Sequence, residues 1–201
     1  METHIILVRH GQTSANIDKL WHGWTDTALT DEGRHQAEKA GLRLAKEHQD
    51  INAIYASPLQ RTRDTAAAIA ASLNKDVAVH HDLKEYGIGE LEGESFSDLH
   101  KIHKFFDKVN EDRHFAPEGG ESIHEVATRM TAAIKELAER HPGEKVVAVS
   151  HGAAMALALA CILDDDPYAW DNYFFHNTGV TEIIVGKEPQ LLRFNCYSHL
   201  D

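Results

Sequence analysis

The sequence predicts an α/β fold: a three-layer sandwich whose mostly parallel central sheet carries helices on both faces, with a helical insertion over one end. Three observations carry that expectation. Short apolar runs of strand length recur along the chain, segments of helical period separate them, and the helical segments open on capping residues. The first apolar run, residues 4–8, delivers Arg9, His10 and Gly11 at its C-terminal end. In an open α/β sheet that edge is where ligands bind.

The other elements follow in order. Residues 51–56 are the second expected strand, 77–80 the third, 146–149 the fourth and 181–185 the fifth; 191–195 returns beside the fifth as a hairpin across 186–189. Thr30 caps a helix that reaches to about His48, and Ser57-Pro58 puts a capping residue ahead of proline at a first helical position. Ser122 and Glu125 form a capping box for a long helix to about Arg140, which Pro142-Gly143 stops. The nearly uncharged run 153–163 is too short to span a bilayer and reads as a buried helix.

Residues 93–118 depart from the alternation. Phe96, Leu99, Ile102, Phe105, Phe106 and Val109 recur at helical spacing as one apolar stripe, while Lys101, Lys104 and Lys108 fall on a second, solvated face. This segment is the insertion. No linker, repeat or low-complexity tract marks a second unit, so residues 1–201 are expected to form a single domain.

Composition narrows the partners. With 20 Lys and Arg against 32 Asp and Glu, a net charge of -12 argues against non-specific binding of nucleic acid or an anionic membrane, since either would need a basic face. Any bound anion must therefore find a locally positive pocket. No basic segment followed by an apolar run opens the chain, so no signal peptide is expected and the cytoplasm is the expected location. Cys161 and Cys196 fit no metal or redox spacing and read as buried free thiols of a reducing compartment. Most of the 15 histidines, His80-His81 and the pair His100 and His103 among them, lack partners at zinc spacing and read as surface residues.

Four segments are suited to an anion. Arg9-His10-Gly11 follows the first strand; Arg61 lies in the first turns of a helix after the second; Glu85 follows the third and opens a Gly- and Glu-rich turn, 85–93; His151-Gly152 follows the fourth and opens a helix. In a parallel sheet these ends gather at one edge, so two arginines, two histidines and two helix N-termini would face one crevice. That crevice would be positive despite the acidic total.

Arg-His-Gly on the first strand, Ser57-Pro58-Leu59 with Arg61 and Thr65-Ala66, the Glu85 turn ending Glu92-Gly93, Pro117 to Ser122, and Ser150-His151-Gly152 stand in one order along nearly the whole chain. In that order they resemble the histidine phosphatase superfamily, which includes phosphoglycerate mutases and many small phosphatases. The resemblance implies a phosphomonoesterase that needs no metal or other cofactor and takes a small-molecule phosphate monoester. It implies that His10 is the nucleophile, that Arg9, Arg61 and His151 hold the phosphoryl oxygens, and that Glu85 is acid and base. Asn16 stands where the family often has a phosphate-contacting asparagine, and His22-Gly23 where it commonly has Gln-Gly. Gly11, Gly23 and Gly152 complete the expected substrate-binding set, Gly11 by leaving room beside His10.

Physical chemistry supports those roles separately. Charge spreads over three equatorial oxygens in phosphoryl transfer, and guanidinium and imidazole donors can stabilise it. An attacking imidazole must be neutral, which neighbouring Arg9 and Arg61 favour. Ser57 reads chiefly as a helix cap, Glu92 as structural, Arg63 as solvated, and Trp21 and Trp24 as lining or covering the pocket. Two alternatives remain open: a phosphoglycerate mutase using 2,3-bisphosphoglycerate, and a non-catalytic phosphate-binding or docking module. The short insertion without an Arg-Arg pair, and Ala153 after Gly152, favour hydrolysis over mutase chemistry. Sugar phosphates, phosphoglycerate, nucleotides and a ribazole phosphate are all compatible substrates.

Overall fold

A computed structural model describes residues 2–201. The expected strands all form: β1 (Thr3–Arg9), β2 (Ile51–Ala56), β3 (Val77–Val79), β4 (Lys145–Ser150), β5 (Val180–Val185) and β6 (Gln190–Cys196). They make one six-stranded sheet in the order β3-β2-β4-β1-β5-β6. β1, β2, β3 and β4 are parallel, β5 runs antiparallel to β1, and β6 runs antiparallel to β5. The sheet is therefore mixed, with four parallel strands from the β3 edge to β1 and the antiparallel pair β5 and β6 at the other edge.

The helices are α1 (Ser14–Asp18), α2 (Asp31–Glu47), α3 (Gln60–Leu73), α4 (Phe96–Lys101), α5 (Phe105–Glu111), α6 (Ile123–Arg140) and α7 (Gly152–Leu159). Thr30 accepts from the Gly33 N–H at the start of α2, and Ser122 with Glu125 closes a capping box on α6, both as expected. The third expected start differs. α3 begins at Gln60 after Leu59, with no side-chain cap. The Ser57 hydroxyl is instead 2.8 Å from His151 Nε2.

β1 explains the layering. Ile5 and Leu7 point into a core shared with α6 and α7, whereas Ile6 and Val8 point into a second core beneath α2 and α3. All four are fully buried. At about 1.5–3 kcal/mol for each such side chain, this strand anchors both cores. The helices after β1 and β2 cover one face, and α6 and α7 cover the other. Chain leaving β1 and chain leaving β4 thus diverge, opening a crevice at the carboxyl ends of these neighbouring strands.

The insertion is two short helices rather than one stripe. Lys104, at φ 51°, breaks the helical path between α4 and α5 and resets its phase. Leu99, Phe105 and Val109 are buried, but Phe96 and Ile102 are 48% and 68% exposed. Lys101, Lys104 and Lys108 are exposed, as expected. The apolar run after His151 is helical through Leu159 and continues as a π-helical turn, Ala160–Asp164. Cys161 and Cys196 are free but half-buried, because each lies where its element meets the surface. Among the described residues no helix is long and apolar enough to cross a membrane.

Candidate active site

Arg9 pairs with Ser150 across β1 and β4, so the residues that follow each strand emerge side by side. The rings of His10 and His151 lie edge to face with centroids 5.3 Å apart. Both are buried. His10 Nδ1 is 2.7 Å from the carbonyl oxygen of Gly11. A carbonyl only accepts, so Nδ1 carries the proton and Nε2 keeps its lone pair. Burial, then Arg61, then Arg9, pushes the His10 imidazole well below its usual value, which keeps it neutral. His151 is pushed the same way, first by burial and then by Arg61 and His10.

The cations are held by backbone. Arg61 is buried and donates to Gly23 O at 2.7 Å and Thr25 O at 3.0 Å. Arg9 Nη1 donates to Phe175 O at 2.6 Å. Arg9 Nε and His151 Nδ1 are buried without a hydrogen-bond partner among the described residues; His151 itself is fully buried and lies outside the lining of the adjoining pocket, which Arg9 reaches.

Glu85 sits at the opening of α7. Its carboxylate accepts from Tyr86 N and Ala154 N, both at 2.8 Å, and from Ala153 N at 3.3 Å. The α7 N-terminus therefore faces Glu85 rather than standing open as the sequence led us to expect. A pocket of about 520 Å³ opens beside these groups, lined at this end by Arg9, His10, Asn16, Arg61, Glu85 and Gly152. His22 and Gly23 also line it. His22 Nδ1 is bonded to Thr27 Oγ1, and burial followed by Arg61 lowers the affinity of that ring for a proton.

Gly11 is placed differently from the expectation. It lies beneath His10 rather than in the pocket wall, and a Cβ on it would fall 2.3 Å from Gly33 O. Close packing of β1 on the start of α2 requires this glycine. Gly23, at φ +44°, has no room either, since a Cβ would meet the Glu92 carboxylate. Glu92 accepts from Trp24 N and Thr25 N at 2.8 and 2.7 Å, so it organises the loop that positions Arg61. Trp21 lines the pocket, whereas Trp24 covers the Glu85 backbone, donating to Glu85 O at 2.8 Å.

Two residues at the site went unnoticed in the sequence. Asn177 Nδ2 donates to His10 O at 3.0 Å and to Asn16 Oδ1 at 3.1 Å, which leaves Asn16 Nδ2 available as a donor. Because β5 is antiparallel, its beginning rather than its end lies at the crevice, so the signal was the polar run 176–179 before a strand. Arg129 on α6 holds the Glu85 turn, donating to the carbonyls of Asp82, Lys84 and Glu85 at 2.7–2.9 Å. Its carboxylate partner Glu121 is eight residues away, but the carbonyls it holds are 44–47 residues away, so nothing local marks that role.

Away from this pocket, Glu47, His48 and Glu182 bring possible metal ligands within 4.8 Å of one another. Cations already serve that cluster. Arg193 Nη1 lies 2.7 Å from Glu47 and 3.1 Å from Glu182, and Lys145 Nζ lies 3.1 Å from His48 Nδ1.

Residues 5–196 match the profile of the histidine phosphatase superfamily, branch 1. Phosphoglycerate mutase-like protein 4 of Arabidopsis thaliana is 37% identical over 156 residues, 75% of this chain and 67% of that protein. Phosphoserine phosphatase 1 of Hydrogenobacter thermophilus is 30% identical over 199 residues, 98% and 93% of the two chains. Among solved structures, a mutant phosphoserine phosphatase of Entamoeba histolytica in complex with phosphoserine superposes with a TM-score of 0.89 at 29% identity, covering 99% of this chain and 100% of that one. With the profile spanning nearly all of it, the chain belongs to the histidine phosphatase superfamily.

Proposed function

We propose that the protein is a metal-independent phosphomonoester hydrolase that acts through a phosphohistidine on small phosphorylated metabolites. The observation that carries this reading is the His10 bond from Nδ1–H to Gly11 O, which leaves Nε2 as the ring nitrogen with a free lone pair in the neutral imidazole that burial and Arg61 favour. In the first half-reaction Nε2 attacks phosphorus, the bond to the ester oxygen breaks, and protonated Glu85 gives its proton to the departing alkoxide. Arg9, Arg61 and His151 stabilise the charge on the transferring oxygens, and Asn16 adds a donor. In the second, Glu85 takes a proton from water as that water attacks phosphorus, the N–P bond breaks, and inorganic phosphate leaves. The two unpaired thiols are in keeping with a cytoplasmic setting.

Assay of 3-phosphoglycerate and p-nitrophenyl phosphate without added 2,3-bisphosphoglycerate tests the reaction. Stoichiometric inorganic phosphate is the expected product of both. Isomerisation of 3- to 2-phosphoglycerate with little phosphate released would make the protein a mutase, and anion binding with no turnover would make it a docking module.

A further inference from the structure

Accepting the phosphatase reading, the far side of the same pocket speaks to the alcohol half of the substrate. The phosphoryl-binding residues share one pocket of about 520 Å³ with a set of aromatic side chains. These make an aromatic wall: Phe96 and Phe106 come from the insertion, Trp170, Tyr173 and Phe174 from the segment before β5, and Trp21 stands behind them. Phe96 is 48% and Phe174 66% exposed, so each offers an apolar face that a ligand can take out of water.

The wall is also preformed. Trp21 Nε1 donates to Tyr86 O at 3.1 Å, and its ring meets Tyr86 and Phe105 edge to face at 5.8 and 5.9 Å. Phe96 and Phe106 then lean on Trp21 at 5.5 and 6.2 Å. On the Phe96 and Phe106 side an entering ring meets surfaces already packed on Trp21, and so loses little to ordering them.

Charge on this side is sparse. Outside the phosphoryl corner the lining has one Lys or Arg, Lys19, and one carboxylate, Asp171, both exposed. A phospho-amino acid or phosphoglycerate would set its remaining charged groups against aromatic faces and dehydrate them with little return. An aromatic alcohol would stack, edge to face or offset, on the same faces. We propose that the pocket selects phosphomonoesters whose alcohol carries an aromatic ring, over phospho-amino acids and phosphoglycerates.

The test compares kcat/KM for 2-phenylethyl phosphate with values for ethyl phosphate, phosphoserine and 3-phosphoglycerate. All four release an alkoxide and so need a proton from the general acid. The expected advantage of the ring ester is roughly tenfold or more over each of the others, the scale on which apolar pockets discriminate. Phe174→Ala and Phe96→Ala, at exposed positions where truncation spares the core, should shrink that advantage about three- to tenfold, chiefly through KM. Equal or better turnover of phosphoserine or 3-phosphoglycerate overturns the proposal, as does a ratio that neither variant moves. Failure of the wild type to release phosphate from p-nitrophenyl phosphate removes the phosphatase reading, and this inference with it.

Discussion

At the phosphoryl end of the pocket the charged side chains are tied to backbone: Arg61 to Gly23 and Thr25, Arg9 to Phe175, and Glu85 to the opening of α7. At the aromatic end the side chains come from α4, α5 and the turns before β5, with Phe96 about half and Phe174 about two-thirds exposed. One end is built by the carboxyl edge of a buried parallel sheet. The other is built by excursions from that sheet, the insertion and the turns before β5. The contrast separates chemistry, which needs fixed donors, from selection of the alcohol, which needs only a wall of suitable shape.

The comparison can be broken from the phosphoryl end first. Arg61→Ala should lower kcat/KM by about 10²–10³-fold, the scale of losing one charge-stabilising donor, and by a similar factor for every ester. A loss confined to one class of alcohol would show that Arg61 belongs to the selecting wall.

Glu85→Gln should sharpen the division of labour within that end. Release of alkyl phosphates should fall about 10²-fold, whereas the first-turnover burst of p-nitrophenol, whose oxygen leaves without a proton, should change far less. Rapid-quench kinetics measure both. Equal losses in the first step would remove the general-acid role.

Asn177→Ala is expected to act more gently, by about tenfold in kcat or less, because it frees the His10 carbonyl and Asn16 without touching phosphorus. Its signature is a loss shared by all substrates, with KM for the aromatic esters unchanged.

The smallest expected effect is on pH. His10 and His151 are held below the usual histidine value, first by burial and next by Arg61. An unfolded chain takes up protons at these two rings near ~6.5, while the native protein resists until lower pH. The unfolded state then binds more protons, so their contribution to stability is present above that pH and is lost as pH falls through it toward the folded values. Ring ¹⁵N shifts of His10 should stay those of a neutral imidazole through pH 6.5, and Arg61→Ala should move its titration upward. Titration at the ordinary value in the wild type would contradict the burial and charge assignments.

Much of the phosphoryl end was legible because a parallel strand announces its functional edge: an apolar run ends, and Arg9-His10 or His151 follows. Glu85 was legible for the same reason. Asn177 was not, since an antiparallel strand puts its first residues at that edge, and Arg129 depends on chain folded back from 44–47 residues away. Gly11 showed that its position mattered but not why, because Gly33 comes to lie against it only in the folded chain. The insertion's apolar spacing was read correctly in composition and wrongly in continuity. One left-handed residue, Lys104, broke the single stripe into two short helices; Leu99, Phe105 and Val109 are buried, and Phe96 and Phe106, one from each helix, line the pocket.

The central claim is that His10 carries the phosphoryl group. Rapid acid-free quenching of enzyme mixed with ³²P-labelled substrate, followed by peptide mapping, tests it most directly. The account predicts one acid-labile, base-stable phosphoryl group per chain, on the peptide containing His10, and none in His10→Ala. Label on another residue, or turnover that persists in His10→Ala, would contradict it.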